Sequence, residues 1–325
     1  MTIKMEELHE TEKKVPSFKY ILKKYNLFLI FLVFIMIGSL LSDQFLSLQN
    51  ILNILQQSSF VGIISIGMTF VILVAGIDLS VGAILALTGM CVSILLSTGM
   101  NPILAILITL IVGAGLGFVN GFISTKFKVP AFIATLAMMV SARGIALLTT
   151  NGEPVYDLPE SFTMLGGNVF GKIPITAIIW VALTIIAIIV LKYTTFGRKI
   201  YAVGGNEESS RLSGINVGKY VTWCFVISGA LSGVAGILMS AWLTVGQPTA
   251  GAGLELDVIA AVVLGGTSLA GGKGGVGGTF IGVLIMSMIV NIFNLLGLSS
   301  YYQSVFMGII IVLAVIMNQI IANKK

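Results

Sequence analysis

Apolar runs of membrane-crossing length recur along almost the whole chain, and this constrains the fold more than any single motif. A helix needs about 20 mostly apolar residues to cross a bilayer. Ten stretches read as candidates: 27–42, 51–76, 79–98, 102–125, 130–150, 173–192, 220–243, 256–270, 276–297 and 302–322. The eighth is short, and only the corner Gly76-Ile77-Asp78 parts the second from the third. Both features point to broken or re-entrant helices. Charged residues make up 10% of the chain, against about 25% in an average soluble domain. The expected fold is an all-α polytopic membrane protein of about ten transmembrane helices with glycine-rich elbows. The expected organisation is a polar tail over residues 1–24 and one membrane domain over 25–325. The first span is too long for a cleaved signal segment, and no small-residue cleavage site follows it.

The positions of the cations orient the chain. With the amino terminus in the cytoplasm, the cytoplasmic segments take all but two of the 18 Lys and Arg residues. The exceptions are Lys172, outside, and Arg143, within a span. That is the positive-inside pattern, and it places both termini in the cytoplasm. It also accounts for the net charge of +5 without nucleic acid. The outer side carries Asp43, Glu153, Asp157, Glu160, Glu255 and Asp257. These form either a solvated surface or a docking face for a cationic partner.

The stretch Leu256–Ile285 holds a glycine-packed elbow, GGTSLAGGKGGVGG, between two apolar runs. Glycine permits turns and close backbone approach, so Gly265, Gly266, Gly271 and Gly272 read as structural, as do Gly76 and Asp78 in the other corner. The elbow is not a phosphate-binding P-loop. That motif needs glycine where Thr267 stands and Ser or Thr where Gly274 stands. With a single histidine in the polar tail and two cysteines in apolar spans, no metal site is expected.

The loop 194–219 is too polar to enter the bilayer. Asn206 is a good N-cap, Glu207 and Glu208 suit a first helical turn, Arg211 suits a last one, and Gly214 suits the stop. A two-turn helix over about 207–213 follows. From these features it is equally a docking helix and a plain surface linker.

Within the spans, polar groups are costly and usually face the bundle interior or a cavity. Asn50, Asn53 and Gln57 recur on one face of the second span, with Gln56 beside them. Asn291 and Asn294 lie three apart in the ninth. Neutral amides suit a path for a hydroxyl-rich solute and equally suit helix–helix hydrogen bonding. Asp78 reads as a cap for the helix beginning at Leu79. Arg143 reads as a candidate for the path, together with Asn53, Gln57, Asn291 and Asn294.

Four segments together resemble the ribose-type ABC importer permease family. They are GIDLSVGA (76–83), FGRKIYAVGGN with RLSGINV (196–217), QPTAGAGLELDVIAAVVLGGTSLAGGKG (247–274) and LLGLSSYYQ (295–303). The resemblance runs from about Leu48 to the carboxy terminus. It implies a bacterial inner-membrane permease subunit, not itself an enzyme, that moves a monosaccharide, with ribose first among the sugars. It implies a separate ATPase subunit that binds ATP and Mg, an extracytoplasmic sugar-binding protein, and a second permease copy. It implies no cofactor on this chain. It also makes Gly204, Gly205, Asn206, Glu207, Glu208, Arg211, Leu212 and Gly214 the expected ATPase contact. Gln247, Glu255 and Asp257 become the expected binding-protein face. The alternative class is an ion-coupled secondary carrier, which would use Asp78 or Arg143 in a charge relay. An intramembrane enzyme would need a paired acid–base or metal constellation, which Asp78 and Arg143 do not supply.

Overall fold

The computed structural model describes residues 18–323, and in the first helix the side chains from Leu27 onward. Lys4, His9 and the rest of the tail to residue 17 lie outside the described residues. The helices are α1 (Phe18–Leu41), α2 (Leu48–Leu73), α3 (Val81–Ser97), α4 (Pro102–Lys126), α5 (Ala131–Leu148), α6 (Glu160–Thr163), α7 (Ile175–Tyr193), α8 (Thr195–Gly205), α9 (Glu207–Leu212), α10 (Val217–Leu243), α11 (Leu254–Leu264), α12 (Val276–Leu295) and α13 (Ser300–Asn323). A two-residue antiparallel pair, β1 (Asn168–Val169) with β2 (Ile173–Pro174), precedes α7. Among the described residues, six helices are long and apolar enough to cross a membrane: α2, α4, α5, α7, α10 and α12. Residues 27–41 and 81–97 form shorter apolar helices. The molecule is a helical, multi-pass membrane protein.

Helix α2 is the central element. Over its membrane-length window 83% of the residues are buried, against 22% in α4 and in α5. It packs against α10, α12, α7 and α11. Large apolar side chains on α4 and α5, including Ile111, Phe118, Val140 and Leu148, point outward, as expected where hydrocarbon is the solvent. Helices α4 and α10 touch backbone to backbone. A Cβ on Gly113 would lie 2.7 Å from the Gly229 carbonyl oxygen, and one on Gly121 2.7 Å from Thr222 Cα. Without a hydrophobic drive between helices in lipid, such small-residue seams supply the packing.

Two segments depart from the expected spans. The eighth run is helical only over the 11 residues of α11, because Gly265 and Gly266 stop it. Gly266 has φ +87°, and Gly265 lies against α12, where a Cβ would be 2.6 Å from the Gly278 carbonyl carbon. The third span starts at Val81 and not at Leu79. The chain between α2 and α3 is a true break, opened by Ala75 in the left-handed region at φ +59°.

Candidate functional site

The break between α2 and α3 is a buried polar knot. Asp78 is fully buried. Its Oδ1 accepts from the Ser80 N–H (3.0 Å) and the Ser80 hydroxyl (2.6 Å), and its Oδ2 accepts from the Ser228 hydroxyl of α10 (2.8 Å). Asn120 Nδ2 of α4 donates to Ser80 Oγ (2.9 Å). Thr135 Oγ1 of α5 accepts from the Leu79 N–H (3.1 Å). Asp78, expected as the cap of this helix, instead fixes the N-cap residue Ser80, and its carboxylate reaches no N–H of α3 itself. It ties that start to α10, while Asn120 on Ser80 and Thr135 on the Leu79 N–H tie it to α4 and α5. Burying so polar a group is tolerable only because each of its oxygens is satisfied.

The stretch after α10 holds the largest difference from the sequence reading. The stretch 246–251, which holds Gln247 of the expected binding-protein face, runs down along α3. Gly246 exchanges backbone hydrogen bonds with Val155 (2.8 and 2.9 Å) and packs on Ser93, while Gly251 packs on Gly82 and Leu85. From Ser93 to Gly82 the helix descends about 16 Å at ~1.5 Å per residue. Arg143 fixes the lower end of this re-entrant segment. Its Nη1 donates to the carbonyls of Pro248 (2.9 Å) and Ala250 (2.7 Å), and its Nη2 to that of Gly82 (3.4 Å). An arginine at membrane depth finds its partners in the carbonyls that irregular backbone leaves open. Glu255 opens α11 beside the start of α3: a Cβ on Gly82 would lie 2.8 Å from Glu255 Oε2. Asp257 follows it in the first turn of α11. Gln247 bonds within the segment, to Thr249 Oγ1 (2.9 Å).

The polar connector is more elaborate than expected. Helix α9 matches the sequence reading: Asn206 Oδ1 accepts from the Ser209 N–H (2.7 Å), and Gly214 ends the helix at φ +79°. Arg211 bonds Glu208 through Nε (3.1 Å) and Nη2 (2.6 Å), the one salt bridge among the described residues. The hydrogen bond from Arg211 holds the Glu208 carboxyl below its ordinary range. The eleven-residue helix before it, α8, was not expected. Its signal was present: Phe196, Ile200 and Val203 recur at helical spacing behind Thr194, whose Oγ1 accepts from the Gly197 N–H (3.2 Å). Ile200 and Val203 are buried in the main core.

The end of α8 joins both elbows. The Gly272 N–H donates to the Leu73 carbonyl at the end of α2 (2.9 Å), and Gly204 sits on that same junction. A Cβ on Gly204 would fall inside the Leu73 oxygen and 2.7 Å from Gly272 N. Gly271, at φ +82°, packs on the Gly204 carbonyl and on Ala75. Tyr201 Oη donates to the Gly274 carbonyl (2.9 Å), and half-burial pushes this phenol above its ordinary pKa. The break after α2, the elbow before α12 and the connector thus meet at one backbone contact.

The amides divide. Asn50 and Asn291 form a reciprocal pair: Asn50 Nδ2 donates to Asn291 Oδ1 (2.9 Å) and Asn291 Nδ2 to Asn50 Oδ1 (2.8 Å). Asn50 Nδ2 also reaches the Phe45 carbonyl (2.9 Å). Asn294 accepts from Gln303 Nε2 (2.7 Å). Asn53 and Gln57 are exposed, and Asn53 accepts from Gln49 Nε2 (3.2 Å). Asn50→Leu and Asn291→Leu are each expected to cost about 2 kcal/mol, since either leaves a buried amide unpaired. The double variant is expected to cost about 1 kcal/mol less than the sum. Thermal unfolding of the four proteins in detergent checks this. Strict additivity would mean that the pair is not coupled.

A family model described as "branched-chain amino acid transport system / permease component" matches residues 50–315. The chain belongs to this permease family. The permease is 47% identical over 304 residues to a ribose import permease protein of Haemophilus influenzae, covering 92% of this chain and 94% of that one. It is 46% identical over 319 residues to a ribose import permease protein of Bacillus subtilis, covering 98% and 99%. A D-allose transport system permease protein of Escherichia coli is 40% identical over 316 residues, covering 96% and 97%. No solved structure matches the permease.

Proposed function

We propose that this permease is the membrane subunit of an ABC importer that carries ribose into a bacterial cell. The observation that carries the reading is the 46–47% identity to ribose import permeases across more than nine-tenths of the chain. ATP and Mg are held by a separate ATPase subunit, the sugar arrives on an extracytoplasmic binding protein, and two permease copies pair in the inner membrane. Ten crossings with both termini in the cytoplasm fit the distribution of Lys and Arg. Helix α9, with Gly204, Gly205, Asn206, Glu207, Glu208, Arg211, Leu212 and Gly214 in and around it, is the docking element for the ATPase. Its Leu212 is 77% exposed, an apolar residue free to enter a groove on a partner.

The experiment is reconstitution of the permease with the ATPase and binding proteins in proteoliposomes, with labelled ribose outside. Uptake that requires ATP inside and the binding protein outside is the expected result. Uptake by the chain alone, driven by a proton or sodium gradient, would overturn it in favour of a secondary carrier. Arg211→Glu sets a negative charge at the end of α9, against the helix dipole, and removes the pair with Glu208. It is expected to leave membrane insertion intact and to lower ATP-driven uptake at least tenfold, with ATP hydrolysis no longer stimulated by the loaded binding protein. Normal coupling in that variant would remove α9 from the docking role.

A further inference from the structure

Where α10 begins, two lysines and two aromatic rings share one exposed corner. Lys199 of α8 holds its ammonium 5.3 Å from the ring centre of Tyr220 on α10, within cation–π range. Phe196 of α8 packs on the same ring, with centroids 5.7 Å apart. Lys219 stands one residue before Tyr220, and Trp223 lies one turn after Lys219 on the same helical face. Both are exposed, Trp223 at 50%. The neighbours of α10 bound this face. Tyr220 turns toward α8, and Thr222, whose Oγ1 lies 3.2 Å from Thr125 Oγ1, turns toward α4. Lys219 and Trp223 look out between them. Val226 and Ile227, a further turn along, are partly exposed and continue the face with apolar side chains.

The order along this face is charge, ring, hydrocarbon. Trp223 follows Lys219 by about 6 Å along the helix axis, at ~1.5 Å per residue. A lipid presents the same order, from phosphate through glycerol to acyl chain. An indole suits the middle of that order, being apolar with a single N–H donor. Lysine suits its start, with the stem on apolar surface and the ammonium at the headgroup. Neither lysine is in an ion pair. The salt bridge among the described residues is Arg211 with Glu208, and the only other carboxylate of the 194–219 connector is Glu207. The corner therefore holds two positive charges that an anion would complete. Two observations set a lipid ahead of the ATPase as the source of that anion. Half of the Trp223 side chain is open, with apolar residues next to it along α10. Lys199 also lies on the flank of α8 over α10, whereas the side of α8 turned away from the core carries Thr195, Arg198 and Ala202.

We infer that this corner is a binding site for an anionic phospholipid, with the phosphodiester on Lys199 and Lys219 and an acyl chain along Trp223, Val226 and Ile227. The inference goes beyond the transport reading and takes from it only that this face is the cytoplasmic one. A lipid seated here braces the flank of α8, the helix that meets Leu73 and Gly272 at Gly204.

The test uses the full chain in lipid nanodiscs and reads tryptophan fluorescence. Brominated phosphatidylglycerol is the quenching probe, and brominated phosphatidylcholine is the neutral control. Trp180 is 1% exposed and out of reach of lipid. Trp242, which borders a cavity of about 560 Å³ at the amino-terminal end of α2, is changed to phenylalanine so that Trp223 reports. Phosphatidylglycerol is expected to quench Trp223 at a lower mole fraction than phosphatidylcholine. Lys199→Gln and Lys219→Gln are each expected to reduce that preference about fivefold, and about 0.5 M salt to weaken it in the parent. Both lysines are exposed, so the unfolding temperature is expected to stay at the parent level. Equal quenching by the two lipids, or a preference that survives removal of both lysines, overturns the site. Loss of ATPase co-purification in the double variant, with the lipid preference unchanged, would make the corner an ATPase contact and overturn it likewise. Nanodiscs offer the same lipid to both faces and no sugar is present, so a failure here leaves the transport reading standing.

Discussion

Gly204→Ala is expected to abolish ATP-driven sugar uptake and to lower the unfolding temperature, while Gly205→Ala, one residue on, leaves the unfolding temperature at the parent level. The two glycines look alike in sequence and differ only in what surrounds them. A Cβ on Gly205 meets nothing within 4 Å, whereas one on Gly204 would overlap the Leu73 carbonyl oxygen. Leu73 is itself fully buried, and its carbonyl is occupied by the Gly272 N–H. The neighbours are backbone, so no side chain can rotate away. The substitution must push α8 off the end of α2 or break the Leu73–Gly272 bond, an overpacking cost of about 3 kcal/mol. A lowered unfolding temperature in detergent for Gly204→Ala alone, with loss of uptake in proteoliposomes, would bear this out. The expectation also concerns mechanism. If α9 receives the ATPase stroke, α8 connects it to the junction of α2 with the elbow before α12, and Gly204 is where that connection is made. Parent-like uptake in Gly204→Ala would show that the stroke does not travel through this contact.

What the sequence revealed and what it withheld follow from the range of the interactions involved. Helix α9 was legible because its cap, first-turn acids, last-turn arginine and stop glycine are all local. Helix α8 is equally local, but its apolar spacing, Phe196, Ile200 and Val203, is set among polar and glycine residues that mask it. The glycine elbow was recognisable as an elbow, but its docking on Leu73 and Gly204 joins segments nearly 200 residues apart. The stretch around Gln247-Pro248-Thr249 falls between two candidate spans, and the resemblance puts it on the outer, binding-protein face. Arg143, more than a hundred residues earlier, makes its descent along α3 possible by supplying donors for the carbonyls of Pro248 and Ala250. The amides of α2 were placed on one helical face, yet burial separates Asn50 and Gln56 from Asn53 and Gln57. The partner Asn291 on α12 and the cavity beside Trp242 make that division, and neither is written into the spacing of α2.

Asp78→Ala is expected to cause the largest loss of stability. It strips the acceptor from the Ser80 N–H, the Ser80 hydroxyl and the Ser228 hydroxyl at once, in a place with no exposure to water. Leaving several buried donors unpaired costs about 4 kcal/mol, enough to free the start of α3 from α10 and α4. Asp78→Asn keeps an oxygen for the two Ser80 donors, and the Ser228 hydroxyl can turn to accept from the new amide. That variant is expected to lose about 1 kcal/mol and to retain most of its uptake. The pair of substitutions separates two roles for the group. A carboxyl that serves as a structural knot tolerates an isosteric amide and fails when removed. A carboxyl that relays protons fails in both cases, since the amide cannot carry the proton even where the fold is intact. Uptake measured beside unfolding temperature for the two variants decides between them: a stable, inactive Asp78→Asn would move Asp78 from the architecture into the transport cycle and revive the ion-coupled carrier.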